Sequence, residues 1–92
     1  MIRSFRNKDT HQIYEGEKIK KWLSVHRQIE KKLQILDAAT RLEDLKHLPG
    51  NRFEALKGDR KGQYSIRINQ QWRICFRWEE GEPLDVEIVD YH

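Results

Sequence analysis

The side chains best suited to chemistry in this chain are Lys57, Arg60, Lys61, Arg67, Arg73, Asp90, Tyr91 and His92. They combine cations, a carboxylate, a phenol and an imidazole that titrates near neutral pH. Cleaving RNA without a metal needs parts of these kinds. A base takes the proton of a ribose 2′-hydroxyl, a cation stabilises charge on the phosphorus oxygens, and an acid protonates the departing 5′-oxygen. Arginine cannot act as the base, but it grips a phosphate through two parallel hydrogen bonds. Tyrosine can stack on a nucleobase or hold the backbone. Residue types alone do not make these groups converge; the elements that carry them must do so.

Those elements are legible as periodicity. "QYSIRIN" alternates, with Tyr64, Ile66 and Ile68 on one face and Ser65, Arg67 and Asn69 on the other. "WRICFRW" continues with Trp72, Ile74, Phe76 and Trp78 against Arg73, Cys75 and Arg77. "PLDVEIV" sets Leu84, Val86 and Ile88 on one face. Short connections at "NQQ" and "EEGEP" suit antiparallel hairpins. "RFEALKG" and the opening "IRSF" read as short strands. Between them, "SVHRQIEKKLQILDAAT" predicts the longest helix, with Ser24 as N-cap and Val25, Ile29, Leu33 and Leu36 as its apolar stripe. A shorter helix capped by Asp9 or Thr10 and ended by Gly16 precedes it. Leucines at 42, 45 and 48 predict another turn or two, stopped at Pro49-Gly50. The expected fold class is α+β: an N-terminal strand and two to three helices packed on one face of a twisted antiparallel sheet, in a single domain spanning residues 1–92. By parity the other, open face carries Arg67, Arg73 and Arg77, and the phase of Asp85, Glu87 and Val89 brings Tyr91 to it.

Charge is segregated. Residues 57–77 hold Lys57, Arg60, Lys61, Arg67, Arg73 and Arg77 against Asp59 alone, and residues 79–90 carry only acidic charges. Lys18, Lys20, Lys21, Arg27, Lys31 and Lys32 add basic charge to the first half, although the net charge is a mild +3. Such a distribution suits a polyanion. Cys75 is the only cysteine, so no internal disulfide can form. His11, His26 and His47 lack neighbours at metal-ligand spacing, and "LKGDRKG" lacks the spacing of a phosphate-binding loop. No metal and no cofactor is expected. No apolar run approaches a membrane span and no signal-peptide core opens the chain, so the expected location is cytoplasmic.

"LKGDRKGQYSIRINQQWRICFRW", followed by the terminal "DYH", resembles the HigB toxins, within the RelE/ParE superfamily of bacterial toxin–antitoxin systems. "IRSF" and "IEKKLQILDAAT" resemble them too, so the likeness covers nearly the whole chain. The resemblance implies a toxin that cuts messenger RNA in the ribosomal A site by metal-independent 2′-hydroxyl attack. It implies two partners: the 70S ribosome with its messenger, and a helix-turn-helix antitoxin of the HigA type, through which alone operator DNA would be contacted. It implies a catalytic set of Lys57, Arg73, Asp90, Tyr91 and His92, with the last strand delivering Tyr91 and His92 to the site. Arg73 would stabilise the phosphate and His92 transfer a proton. Lys57 would assist phosphate binding or lower the charge cost of 2′-oxygen attack, Tyr91 would orient or stack on a nucleotide, and Asp90 would orient His92 or act as base. Lys20, Lys21, Arg60, Lys61 and Arg67 would bind ribosomal RNA. Some relatives carry a histidine where this chain has Glu54, which is therefore a candidate replacement acid or base. Rival readings are a gyrase inhibitor of the ParE branch, a non-catalytic RNA-binding module, and a degenerate toxin kept as an antitoxin-binding scaffold.

Overall fold

A computed structural model describes residues 1–90. Helix α1 (Lys8–Tyr14), a 3₁₀ turn (Lys20–Val25), α2 (His26–Ala38) and α3 (Leu42–Lys46) precede four strands: β1 (Glu54–Ala55), β2 (Tyr64–Arg67), β3 (Trp72–Glu79) and β4 (Glu82–Asp90). Short 3₁₀ turns at Pro49–Asn51 and Gly58–Arg60 flank β1. The strands form one antiparallel sheet in the order β1-β2-β3-β4. The helices supply Ile13, Ile29, Leu33, Leu36 and Leu45 to a core that the sheet completes with Ile66, Ile74, Phe76, Val86 and Ile88. This is the expected α+β class. Among the described residues no helix is long and apolar enough to cross a membrane.

Ile29, Leu33 and Leu36 form the expected buried stripe of α2, whereas Val25 falls in the 3₁₀ turn and is only half-buried, and the caps differ from those expected. Asn7, not Asp9 or Thr10, caps α1, its Oδ1 accepting from Thr10 N at 3.0 Å. Ser24 caps nothing: it lies in the 3₁₀ turn, and α2 begins at His26 without a side-chain cap. The turn serves burial instead, seating Trp22 edge-on against Trp72 at 5.9 Å between ring centroids.

"IRSF" forms less of a strand than expected. One parallel bridge joins Phe5 to Val86, with Arg3 N bonded to Pro83 O, Val86 N to Ser4 O, and Arg6 N to Val86 O. At Ile88 the α1 side chain Thr10 takes over, its Oγ1 accepting the Ile88 amide at 3.1 Å. The outer edge of β4 is thus satisfied by two successive segments, which suppresses edge-to-edge pairing. The parity of β4 also breaks. Cys75 faces Glu87 but Arg77 faces Leu84, so one extra residue sits in β4, where Asp85 adopts φ +52°. This bulge moves Leu84 off the Val86–Ile88 face and into the row of Arg77. Beyond it, Glu80 and Gly81 both take positive φ between the paired Glu79 and Glu82, the geometry of a type I′ hairpin.

Leu36 is fully buried at the C-terminal end of the α2 stripe. Leu36→Ala should lower unfolding free energy by about 2–5 kcal/mol, measured by urea denaturation.

Candidate active site

The second face of the sheet is ordered in rows. Glu54, Ser65, Cys75 and Glu87 face one another across all four strands; Arg67, Arg73 and Val89 form the next row. The strand register therefore brings Arg67 beside Arg73. Around them lies a cleft of about 210 Å³ lined by Arg52, Glu54, Arg67, Asn69, Gln70 and Arg73.

This face is not the open surface the alternation suggests. Arg73 is only 4% exposed, and Ser65 and Cys75 are buried beside it. Arg73 Nε donates to Ser65 Oγ at 2.9 Å, and Nη2 donates to Arg52 O at 2.6 Å and Ser65 O at 3.3 Å. Glu54 Oε1 stands 3.9 Å from Nη2. The reason is β1 and its lead-in, which lie beside β2 and direct the Arg52 carbonyl at the guanidinium. Alternation reports which face a residue takes but not what covers that face. Arg67 is half-buried, its Nε bonded to Asn69 O at 3.0 Å.

The other expected residues divide. Lys57 and Lys61 are exposed in the connection between β1 and β2. Arg60, in the same connection, reaches the strand face, donating to Gln63 Oε1 at 3.1 Å and Glu87 Oε1 at 3.2 Å. Asp90 pairs with Trp72, one residue out of phase with Arg73, and its carboxylate accepts from Gln71 Nε2 at 3.2 Å. It does not line the cleft. Lys20 and Lys21 belong to the helical side: Lys21 pairs with Asp9 at 3.0 Å and lies over the ring of core residue Trp22. Tyr91 and His92 lie outside the described residues. Arg52 was not singled out from sequence, where it only opens the expected short strand "RFEALKG". Pairing of Glu54 with Ser65, once known, brings position 52 level with Arg67.

The remaining titratable groups sit elsewhere. His11 pairs with Glu15 and stacks on Phe5, while His26 is buried against Glu30. Among the described residues no three His, Cys, Asp or Glu side chains gather as a metal site. Burial pushes the Cys75 thiol above its ordinary value, and Arg60 pulls it back only in part. A buried thiol held neutral makes a poor nucleophile.

Four antiparallel strands with helices on one face make a fold also found in bacterial toxins. The chain is similar to a YoeB–YefM toxin–antitoxin complex from Staphylococcus aureus, with TM-score 0.59 and 19% identity over 100% of this chain and 98% of that one. It is likewise similar to the YoeB/ParE toxin from Agrobacterium tumefaciens, with TM-score 0.53 and 19% identity over 99% and 96% of the two chains. Sequence goes further than fold. Residues 3–92 match the family described as the RelE-like toxin of type II toxin–antitoxin system HigB, and the chain belongs to that family. A relative called Toxin HigB-1, from Vibrio cholerae, is 42% identical over 87 residues, 92% of each chain. Another, called Endoribonuclease HigB, from Proteus vulgaris, is 32% identical over 93 residues, the full length of both.

Cys75 should resist Ellman's reagent at pH 8 in the native protein and react rapidly once urea unfolds it. Equal rates in both states would place the thiol at the surface.

Proposed function

We propose that this toxin is a ribosome-dependent endoribonuclease that enters the A site in the cytoplasm and cuts the messenger by metal-independent 2′-hydroxyl attack. The observation that carries the reading is the cleft in which Arg52, Arg67 and Arg73 gather, with Arg73 already oriented by three acceptor contacts. The 2′-oxygen bonds to phosphorus as its proton passes to a base, and the bond from phosphorus to the 5′-oxygen breaks as an acid protonates that oxygen. The products are a 2′,3′-cyclic phosphate and a 5′-hydroxyl.

In this scheme Arg73 and Arg67 stabilise charge on the phosphorus oxygens, because donors aimed before reaction need no reorganisation. Glu54 lines the cleft with its carboxylate nearly half exposed. It is better situated than Asp90, one residue out of phase, to receive the 2′-hydroxyl proton. His92 is the acid, Tyr91 orients a nucleotide, and Asp90 positions the end of β4. Lys57 lowers the charge cost of attack, and Lys61 with Arg60 binds ribosomal RNA. Lys20 and Lys21, on the helical side, contact ribosomal RNA away from the cleft. The family is defined by toxin–antitoxin systems, and a helix-turn-helix antitoxin of the HigA type is the proposed inhibitor and the sole link to operator DNA.

The test uses purified protein, 70S ribosomes and a messenger with a defined A-site codon, with fragment ends mapped. Wild type should cut within that codon and leave a cyclic phosphate. Arg73→Ala should slow cleavage by about 100-fold or more. Glu54→Gln and deletion of His92 should each cost about 100-fold or more. An intact messenger with protein bound to ribosomes would contradict the enzyme and favour a binding module. An intact messenger without ribosome binding would turn attention to gyrase.

A further inference from the structure

Among the described residues, Arg52 is one of three non-glycine residues with positive φ, at φ 42° and ψ 54°. An L-residue resists this left-handed conformation unless its surroundings impose it. Here the imposing group is Asn51, which is fully buried. Its Nδ2 donates to Leu45 O at 3.1 Å, satisfying a carbonyl in the last turn of α3, and its Oδ1 accepts from Lys32 Nζ of α2 at 2.7 Å. Backbone bonds from Asn51 N to Leu48 O and from Arg52 N to Pro49 O close the turn. The chain then leaves Arg52 with its carbonyl 2.6 Å from Arg73 Nη2, while Ser65 Oγ holds Nε from the neighbouring strand.

We infer that Asn51 and Ser65 are positioning residues for the proposed cleavage: they fix the guanidinium plane of Arg73 and touch no substrate. The inference rests on reading Arg73 as the group that meets the scissile phosphate. Asn51 acts through the backbone, by forcing Arg52 to present its carbonyl; Ser65 acts directly on Nε. Lys32 couples α2 to the same turn. Misplacement of a catalytic group by about 1 Å can cost up to 100-fold in rate, with little effect on how tightly substrate binds.

Single-turnover cleavage on programmed ribosomes, with toxin concentration varied, separates the saturated rate from the half-saturating concentration. Ser65→Ala and Asn51→Ala should each lower the saturated rate by about 10-fold or more and shift half-saturation by less than about 2-fold. Leu36→Ala, a core change that removes none of these hydrogen bonds, serves as a control for stability and should keep the saturated rate. In an Arg73→Lys background Ser65→Ala should cost less than about 2-fold, because its partner is gone. Should Asn51→Ala not fold, Ser65→Ala carries the test, since it removes one atom and leaves both backbone acceptors. Normal saturated rates in Ser65→Ala and in folded Asn51→Ala, beside a crippled Arg73→Ala, would overturn the positioning role and leave the ribonuclease standing. A full Ser65→Ala penalty in the Arg73→Lys background would also overturn it. Failure of wild type to cut, or an Arg73→Ala variant as fast as wild type, would overturn both.

Discussion

The guanidinium of Arg73 is the charge around which the second face of the sheet is organised. A cation that is 96% withdrawn from water is costly unless acceptors surround it. Two backbone carbonyls, one hydroxyl and the nearby Glu54 carboxylate meet that requirement. Each acceptor demands something of the fold. Ser65 must sit two strand positions along and one strand over, which the β2–β3 register provides. Arg52 must turn left-handed, which the buried Asn51 enforces. β1 need be only two residues long, because its task is to bring Arg52 and Glu54 to the cleft rather than to extend the sheet.

The same economy appears at the other edge. β4 carries Val89 beside Arg73 and is described as far as Asp90, yet an unpaired edge invites association with other strands. Two segments from the far end of the sequence cover it in turn: Arg3 to Arg6 through backbone bonds, then Thr10 through its hydroxyl. Ser4, within the first segment, holds the bulge, its Oγ accepting from Asp85 N at 2.9 Å and facing the Asp85 carboxylate. Asp85 in turn pairs with Arg77 at 3.6 Å, so the bulge also neutralises a cation that would otherwise add to the basic surface.

How much of this can be read from residues alone depends on the range of the interaction. The core faces of β2 and β3 follow from strict alternation, and Ile29, Leu33 and Leu36 follow from helical spacing, because both are local rules. Alternation also placed Arg67 and Arg73 on one face. It failed at Leu84, where the left-handed residue Asp85, itself neither Gly nor Asn, shifts the phase. It could not foresee that Arg73 would be buried, because the cover comes from Arg52, twenty-one positions earlier, through a backbone carbonyl that has no sequence signature. Charge alone does not locate Lys21 beside Asp9 and over the ring of Trp22, a placement set by how the 3₁₀ turn meets α1.

In the proposed mechanism, chemistry on this face depends on a preset arginine rather than on a flexible one that closes over its ligand. The most direct test is a structure of the toxin on a 70S ribosome whose A-site codon carries a 2′-deoxynucleotide at the cut position, so that no cleavage occurs. The account predicts the scissile phosphate in the cleft bounded by Arg52, Glu54, Arg67 and Arg73, with Arg73 still bonded to Ser65. A messenger backbone lying against another face of the protein, or an Arg73 side chain swung out of its present contacts, would contradict it.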